Sequence, residues 1–554
     1  MKRMPLLWIV KRIRRRIPML LALVAAQVGN ALFTVLFALG TRGVIDSATA
    51  GNMDAFWRAC LYQAAIILAI LVSMTVSRHL REKLRADLDL DWKKRLLHGL
   101  LHGEYEQVRK YHSAELLNRL NNDVSKVDEG VISVLPSVAA MVTKLVAAVV
   151  VLGTIDARFT GLLALLGIAV VAVTGLMRRC LKELNKRVSE QDGKVSAFLQ
   201  EMMEKLLMVQ AMDVSQEVER RADGLLKQRY AIQRKRKNVG VVVNTGVSVM
   251  AYGVGFMALV WCAYRMLQGQ MTFGSLTAVT QLVSQLQTPF VNLSGVMPQY
   301  VAMVAAAERL MELDAIQGEP ASVVEDARGL YAELNALGAQ KLTFAYDSDE
   351  ILQEADFELP RGAFAVITGP SGVGKSTLLK LLLGVYQPDG GVMYASRGGE
   401  RIPLGRATRR LFAYVPQGNL ILSGTLRENL TIVNPGATQA EIDNAVYISA
   451  MDEYLPQLPQ GLETELGENG AGLSEGQAQR LAIARAVLSG APILLLDECT
   501  SALDESLEQT VLTRLKALSG RSCIAVTHRP AALALCDWRL VIAGGKIQTI
   551  RQRA

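Results

Sequence analysis

Cysteine and histidine are scarce in this sequence and form no cluster that would hold a metal. The 554 residues contain 6 cysteines and 5 histidines, and no two cysteines form a CxxC pair. This spacing argues against a zinc site and against a disulfide framework. The cysteines are therefore expected to act as small buried hydrophobic residues.

A signal-peptide cleavage site is also missing. The first residues are basic, but the apolar stretch that follows, Ile17 to Gly40, is longer than the hydrophobic region of a typical signal peptide and lacks a small-x-small site. We interpret this stretch as a first transmembrane helix that is retained.

Apolar residues are unevenly distributed, which argues against an ordinary soluble protein. They make up 51% of the chain, at the upper edge for soluble proteins, and gather into runs before residue 300. The formal net charge of +8 can indicate a nucleic-acid partner. Here the Lys and Arg residues lie beside the apolar runs, which instead favours the cytoplasmic face of a membrane and no nucleic-acid partner.

Six stretches are apolar enough to cross a bilayer as helices, each of which needs ~20 residues. They lie near Ile17–Gly40, Ala55–Ser77, Val131–Thr154, Phe159–Met177, Gly240–Tyr264 and Phe273–Val304. Glutamine and serine residues interrupt the second and the sixth stretch, so these two have the least defined boundaries.

Two long polar stretches, Arg78–Gly130 and Arg178–Asn238, alternate with short loops that carry few positive charges. The positive-inside rule places both stretches and both termini in the cytoplasm. Their helical pattern predicts that the spanning helices continue beyond the membrane and turn near Tyr105–Asn121 and Glu204–Gln216. The alternative is a pair of solvated helical hairpins without a special role.

A glycine-rich segment in the C-terminal half has the sequence of a phosphate-binding loop. It lies between the strand-like run Ala363–Thr368 and the helix-like run Leu378–Leu383, which is the context that a P-loop needs. In such a loop backbone N–H groups surround phosphate oxygens, Lys375 places a charge on the β- and γ-phosphates, and Ser376 offers its hydroxyl to Mg²⁺. The segment comprises Gly369, Pro370, Ser371, Gly372, Val373, Gly374, Lys375, Ser376 and Thr377.

Two adjacent carboxylates end a buried-strand pattern downstream of the P-loop. The run Ile493–Leu496 is followed directly by Asp497 and Glu498. One carboxylate at such a strand end can hold Mg²⁺, and the next can polarise water for attack on the γ-phosphate. Downstream of a P-loop, this pair predicts ATP hydrolysis.

With these two elements in order, the chain resembles an ABC transporter, and five further motifs carry the resemblance. They are Leu473–Gln477 for the signature, Tyr414–Gln417 for the Q-loop, Ser501–Asp504 for the D-loop, Val526–Arg529 for the switch histidine and Phe344–Tyr346 for the A-loop. Four more stretches, Gln417–Asn429, Thr464–Gly470, Ala114–Val124 and Ala305–Leu310, resemble the exporter branch of the family.

The resemblance implies a multidomain membrane protein. An all-α six-helix transmembrane domain with long cytoplasmic extensions precedes an α/β P-loop ATPase domain. A breaker near residue 316 and the change in composition around it place the transmembrane domain at 1–315, a linker at 316–330 and the ATP-binding domain at 331–554.

The resemblance also implies roles for the site residues. Tyr346 is expected to stack on adenine, Gln417 and Asp497 to complete the shell of Mg²⁺ and water, and Glu498 to act as general base. His528 is expected to hold Glu498 and the γ-phosphate. The expected contacts to phosphate and Mg²⁺ are Gly369, Ser371, Gly372, Gly374, Lys375, Ser376 and Thr377. Asp504 is expected at the nucleotide, and Ser474, Gly476 and Gln477 are expected to reach it from a partner chain.

A chain with one ATPase domain would be half a transporter in the bacterial plasma membrane, and its cofactors would be ATP and Mg²⁺. The intact P-loop and Glu498 favour a homodimer, while a heterodimer stays open. The expected cargo is a hydrophobic or amphipathic molecule such as a lipid, a peptide or a drug-like compound. The alternatives are an ATP-regulated channel or regulator on the same fold, and a soluble ATPase with a buried helical bundle.

Two positions depart from the family pattern. Glu475 stands in the signature where the family usually has glycine, and an acid near three phosphates would weaken ATP capture if it points inward. Cys499 replaces the usual alanine after the general base, and a neutral buried role is favoured over a reactive one.

Polar residues on the predicted spans give the one indication of a cargo path. On ideal helices they cluster on one face in each of three spans. They are Gln281, Gln285, Thr288, Asn292 and Gln299 in the sixth span, Gln27, Asn30 and Thr34 in the first, and Ser133, Ser137 and Lys144 in the third. Such residues face either a cavity or a neighbouring helix, and both interpretations stay open.

Overall fold

The structure is a computed structural model whose contacts divide the chain into two compact units. It describes residues 4–316, 318, 324, 326–346, 349–418, 421–467, 470, 472–518 and 520–552, with side chains except at 168–182, 244, 247 and 288–294. The first unit comprises Met1–Leu97 and Ser113–Ala315, and the second His98–His112 and Ile316–Ala554. The sequence does not predict that residues 98–112 belong to the same compact unit as the C-terminal residues. Within the predicted linker 316–330, residues 317, 319–323 and 325 lie outside the described residues.

The first unit is built from long helices. Its helices are Pro5–Arg12, Ile17–Thr49, Met53–His102, Ser113–Asn118, Val124–Ile155, Ala157–Glu204, Leu206–Ala211, Ser215–Leu267 and Phe273–Asp314, of which Met53–His102 ends in the second unit. Three of them have 50, 48 and 53 residues. A 50-residue helix is about 75 Å long, more than twice the ~30 Å of a bilayer core. The prediction that helices continue well beyond the membrane is thus confirmed.

Four helices among the described residues are long and apolar enough to cross a membrane. Counted together with the short helical segments that directly precede two of them, they are Arg14–Thr49, Met53–His102, Ser113–Ile155 and Ser215–Leu267. They contain the predicted first, second, third and fifth spans. The predicted fourth and sixth spans lie on Ala157–Glu204 and Phe273–Asp314, and both of these helices include residues whose side chains are not described.

The helices break where the sequence predicts turns. The short helix Tyr105–Arg109 lies in the first predicted turn, and Leu206–Ala211 lies in the second. Between the third and fourth predicted spans, Asp156 caps the next helix by accepting from the N–H groups of Arg158 and Phe159, at 3.0 and 3.1 Å. Such a cap satisfies N–H groups that would otherwise lack partners at the helix start.

An ion pair with a buried carboxylate joins two segments that resemble exporter motifs. Asp123 has no exposed surface, and its two oxygens accept from Nε and Nη2 of Arg309 at 2.7 Å each. Arg119 is also buried and binds Glu312 at 2.8 Å. The bidentate geometry fixes both distance and orientation. These pairs therefore tie the segment before the third span to the end of the last long helix.

The second unit contains two large sheets. The six-stranded sheet has the order Lys546–Arg551, Trp538–Ala543, Phe364–Thr368, Ser522–Val526, Ile493–Asp497 and Phe412–Val415. Its five strands from Trp538–Ala543 onward are parallel, and the edge strand Lys546–Arg551 pairs antiparallel. The antiparallel four-stranded sheet has the order Asp349–Pro360, Ala336–Tyr346, Gly390–Arg397 and Glu400–Pro403. Gly424–Thr425 and Glu465–Leu466 form a third, two-stranded sheet.

Helices enclose these sheets, as expected when the central strands are buried on both faces. The helices of the second unit include Tyr105–Arg109, Ala327–Glu333, Lys375–Leu382, Leu426–Thr431, Gln439–Ile448, Glu475–Leu488, Glu505–Lys516 and Pro530–Leu535. Every residue of Phe364–Thr368, Ile493–Asp497 and Ser522–Val526 is buried. This apolar packing holds the carboxyl ends of the three strands in register, and ligands of open parallel sheets bind at that edge.

Candidate functional site

The predicted P-loop connects a buried strand to a helix. It leaves Phe364–Thr368 and enters Lys375–Leu382. Gly372 and Gly374 have φ values of +78° and +102°, which glycine adopts without a steric cost. A Cβ at Gly374 would lie 2.2 Å from Cγ2 of Ile351. The turn therefore requires glycine both for its backbone conformation and for its packing.

The Lys375 side chain folds back over the loop. Its Nζ donates to the carbonyl oxygens of Gly369 and Pro370 at 2.8 and 2.9 Å, and the residue is buried. A buried ammonium beside a helix N-terminus makes this loop favourable for an anion. Ser371 is exposed at the turn of the loop, and Thr377 is buried in the first turn of the helix.

A hydroxyl and a carboxylate meet at the next strand end. The Oγ of Ser376 donates to Oδ1 of Asp497 at 2.8 Å, and the hydroxyl of Tyr414 donates to Oδ2 at 3.0 Å. Burial and the neighbouring Asp497 carboxylate raise the pKa of Tyr414 above its ordinary value, so the phenol stays protonated and donates. Asp497 itself is 2% exposed.

Glu498 has a strained backbone that directs its side chain. Its φ is +48°, a conformation that non-glycine residues rarely adopt and that clusters at functional sites. Its N–H donates to the carbonyl of Val526 at 3.0 Å, and its Oε2 accepts from Nε2 of Gln417 at 2.8 Å. The structure thus brings together the predicted base, the predicted Q-loop amide and the strand that precedes His528.

His528 is exposed, and within the described part of the chain it has no hydrogen bond to Glu498. Its neighbour Arg529 is engaged instead. The Nη1 of Arg529 donates to the carbonyl of Leu503 at 2.7 Å and pairs with Glu508 at 3.3 Å. The expected contact of His528 with Glu498 and phosphate stays a prediction.

An aromatic cluster surrounds the predicted adenine-stacking residue. The rings of Phe344 and Tyr386 lie 5.0 and 5.4 Å from the ring of Tyr346, centroid to centroid. The guanidinium of Arg109 lies 5.4 Å from the same ring and donates to the hydroxyl of Tyr386. The Tyr346 hydroxyl is 3.3 Å from Oγ1 of Thr377. The Tyr346 ring therefore lies beside the P-loop helix, and its stacking on adenine stays a prediction.

The signature segment begins a helix with reciprocal capping. The N–H of Gln477 donates to Oγ of Ser474 at 3.3 Å, and the N–H of Ser474 donates to Oε1 of Gln477 at 2.9 Å. Glu475 is exposed in the first turn of Glu475–Leu488. A Cβ on Gly476 would lie 3.1 Å from the carbonyl oxygen of Ala502, so this glycine packs closely against the D-loop.

The D-loop is held by the signature helix as well as by Arg529. Gln479 donates to Oγ of Ser501 at 2.9 Å and accepts from the N–H of Ala502 at 3.1 Å. Asp504 caps the helix that follows, because its Oδ1 accepts from Oγ of Ser506 and from the N–H of Leu507 at 2.7 and 2.8 Å. These two bonds lower the pKa of Asp504.

Four residues that the sequence reasoning assigned no role contact the site: Tyr414, Arg529, Arg109 and Tyr386. Tyr414 and Arg529 lie inside the Q-loop and switch-histidine motifs, so the sequence could have indicated that they lie at the site. Arg109 and Tyr386 lie far from each other in sequence, and no local pattern joins them.

Cys499 is buried beside the predicted base. It is 4% exposed, and burial raises the pKa of its thiol to about 12. A thiol with that pKa carries little thiolate at neutral pH, which agrees with a neutral role. Cys60, Cys262, Cys523 and Cys536 are also free thiols, and the side chain of Cys180 is not among those described.

Two polar residues of the sixth predicted span, Gln285 and Gln299, contact neighbouring helices. Gln285 donates from Nε2 to the carbonyl oxygen of Thr34 at 2.9 Å, and Gln299 accepts from Oγ of Ser133 at 2.9 Å. Both contacts favour the packing interpretation for these two residues. The side chains of Thr288 and Asn292 lie outside the described residues.

Fold and site together define a membrane transporter with an ABC-type ATPase. Residues 17–290 match the family described as ABC transporter transmembrane region, and residues 352–501 match the family described as ABC transporter. The chain belongs to the ABC transporters, the family of ATP-hydrolysing transport proteins, and it combines a membrane region and an ATPase domain.

The exporter type is shown by a solved structure. A bacterial Atm1-family ABC exporter with ATP bound is similar over 97% of this chain and 95% of its own, with a TM-score of 0.78 and 26% identity. The chain thus has the exporter fold and is an integral membrane protein.

Two relatives illustrate the range of similar proteins. An ATM1-type heavy metal exporter from Novosphingobium aromaticivorans is 34% identical over 295 residues, which are 52% of this chain and 48% of the relative, so the match spans about half the length of that relative. An ATP-dependent lipid A-core flippase from Photobacterium profundum is 25% identical over 534 residues, which are 95% of this chain and 90% of the flippase.

Proposed function

We propose that this chain hydrolyses ATP to export a hydrophobic or amphipathic cargo, and that it works as a homodimer by alternating access. One observation supports the proposed ATP hydrolysis. Ser376 of the P-loop helix, Asp497 of the neighbouring strand and the pair Glu498 and Gln417 converge at one edge of the parallel sheet. That edge is where open α/β sheets bind ligands.

The donor set at this edge fits Mg²⁺. Ser376, Asp497 and Gln417 offer a hydroxyl, a carboxylate and an amide oxygen, which are the hard ligands that Mg²⁺ takes together with nucleotide phosphates and water. When bound, the ion would neutralise charge on the β- and γ-phosphates. Tyr414 keeps Asp497 oriented through its hydrogen bond.

The proposed roles of the other site residues follow from their positions around the P-loop and the strand ends. Tyr346 stacks on adenine, Lys375 and the loop amides of Gly369 to Thr377 bind phosphates, and Glu498 takes a proton from the attacking water. Gln417 orients Glu498 through the bond at 2.8 Å. His528, exposed at the next strand end, would reach the γ-phosphate once nucleotide is bound.

A second copy would complete each ATP site. The N-terminal turn of the signature helix, with Ser474, Gly476 and Gln477, presents N–H groups and a hydroxyl that suit phosphate oxygens. Asp504 caps its own helix and would act by shaping the D-loop. The exposed acid at Glu475 is the one feature that favours a heterodimer, because a partner with an unaltered signature would compensate for it.

The proposed location is the bacterial plasma membrane, with both termini and the ATPase domain in the cytoplasm. The basic residues beside the spans support this orientation. The names of the relatives include a heavy metal exporter and a lipid A-core flippase, which agrees with export but leaves several cargo classes.

Two variants of the full-length chain in lipid test the ATPase assignment. Glu498→Gln is expected to bind ATP and to hydrolyse it ~10²–10⁴-fold more slowly, because it loses the positioned base. Lys375→Ala is expected to weaken ATP binding instead. ATP binding and phosphate release are measured on both. Hydrolysis by Glu498→Gln at a near wild-type rate would overturn the assignment of the base.

A further inference from the structure

A cavity of about 550 Å³ lies within the first unit between three long helices. Its walls come from Ile17–Thr49, Met53–His102 and Val124–Ile155. Pockets of this volume accommodate a small molecule or the headgroup of an amphiphile, but not a polypeptide. The lining residues include the polar faces that the sequence marks on the first and third spans, namely Gln27, Asn30, Thr34, Ser137 and Lys144.

The charge of this cavity is positive. Arg78, Arg81 and Lys144 line it, opposed by one carboxylate, Glu82. Within the described residues none of these three cations forms an ion pair, and the Nη2 of Arg78 contacts the sulfur of Met74 at 3.8 Å. Charged groups on spanning helices are costly unless they face a partner or a cavity. A cavity with two uncompensated positive charges is therefore suited to an anion.

Two buried polar atoms at the cavity also lack partners. The Oδ1 of Asn30 and the Oγ of Ser77 are buried and, among the described residues, have no hydrogen bond. Buried polar atoms are normally paired, and an exception points to a missing partner. Here both residues line the same cavity as the three cations.

The rest of the wall is apolar. Ala31, Met74, Ala140 and Met141 line the cavity beside the charged groups. By the predicted orientation, Arg78 and Arg81 lie at the cytoplasmic end of the second span, and Lys144 lies deeper in the bilayer. The cavity thus offers cationic groups for an anion and apolar side chains for an apolar chain.

We propose that this cavity binds an anionic amphiphile, a molecule with a phosphate or carboxylate group on an apolar chain, and that such a molecule is the exported cargo. The inference rests on the proposed function, whose cargo class it narrows. The headgroup contacts Lys144 and Arg81, with Asn30 and Ser77 completing its hydrogen bonds. A cationic drug-like molecule is disfavoured, because it would place like charges together.

The test uses the full-length chain and dodecyl phosphate, with dodecylphosphocholine as the zwitterion of the same chain length. Binding is measured without nucleotide by native mass spectrometry, so its result does not depend on the ATPase assignment. Wild-type protein is expected to retain dodecyl phosphate in preference to dodecylphosphocholine. Lys144→Met and Arg81→Gln should each weaken retention about tenfold, the effect of losing a charge-assisted hydrogen bond.

Lys83→Gln is the matched control. It removes an exposed cation from the same helix as Arg81 at a position outside the cavity, and it should retain dodecyl phosphate like the wild type. Melting temperatures establish that each variant is folded. Equal retention of both amphiphiles, or undiminished retention by folded Lys144→Met and Arg81→Gln, would refute the anion site.

A separate measurement tests whether the bound amphiphile is the exported cargo. In phosphatidylcholine nanodiscs, dodecyl phosphate should change the ATPase rate of the wild type, and the change should need about tenfold more ligand in Lys144→Met. Inorganic phosphate at the same concentration should have no effect. Binding without any effect on ATP hydrolysis would overturn the cargo assignment, and an equal effect of inorganic phosphate would overturn the requirement for an apolar chain.

Discussion

At the scale of single residues, the acid in the signature is the clearest departure from the family pattern. Glu475 is exposed in the first turn of its helix, where a negative charge is favourable to the helix dipole. The same turn is proposed to face the partner's ATP, and there the charge would repel phosphate. A residue that stabilises its own helix would thus weaken nucleotide binding.

Replacing Glu475 by Gly or Gln is therefore expected to lower the KM for ATP by about two- to fivefold, since exposed charge pairs contribute up to ~1 kcal/mol. Screening predicts a larger effect at low salt. Steady-state ATPase assays at two ionic strengths measure this. Asp443→Asn, which neutralises an exposed acid on another helix, is the control. An unchanged KM at both salt levels would mean that Glu475 faces solvent in the dimer.

The sequence could propose candidate site residues because their motifs are local. Lys375 and Ser376 follow a glycine turn, and Asp497 and Glu498 end one strand. It could not show the strained φ of Glu498 or the bond from Tyr414 to Asp497, because both depend on the pairing of strands far apart in sequence. It also could not show that Asp504 caps the following helix, and the expected place of Asp504 at the nucleotide stays a prediction.

At the scale of elements, the pair Asp123 and Arg309 fixes the segment before the third span to the end of the last long helix. Asp123 is fully buried, whereas the Arg309 side chain is 41% exposed. Loss of the carboxylate would leave a guanidinium that water can partly solvate. The cost should therefore be that of charge-assisted hydrogen bonds and not that of a fully buried charge.

Asp123→Asn is expected to lower the free energy of unfolding by about 1–3 kcal/mol. Thermal unfolding of the purified chain in detergent should show a lower transition temperature. Lys126→Gln removes a partner that lies 3.5 Å from the same carboxylate and is itself half exposed, so its effect should be far smaller. Equal transition temperatures for Asp123→Asn and the wild type would contradict a structural role for the pair.

Helix positions were predictable from hydropathy, and helix contacts were not. Apolar runs and basic flanks located the long helices and the breaks between them, in which the short helices Tyr105–Arg109 and Leu206–Ala211 lie. Periodicity could not tell a cavity from a helix contact. The structure separates the two, because the amide nitrogen of Gln285 donates to a neighbouring helix while Asn30 lines the cavity.

At the scale of the whole molecule, the account requires that two copies of this chain suffice. Each copy carries an intact P-loop, a positioned Glu498 and a signature helix with Ser474 as its cap. A chain that needed a different partner would be inactive by itself. The composition of the active assembly therefore decides between the homodimer and the heterodimer.

The most direct test is the Mg²⁺-dependent ATPase activity of the purified full-length chain, reconstituted alone in lipid, with its mass determined in the same preparation. The account predicts a dimer that hydrolyses ATP, and a Glu498→Gln dimer that binds ATP with turnover reduced ~10²–10⁴-fold. A folded wild-type chain that binds ATP but shows no hydrolysis by itself would contradict it.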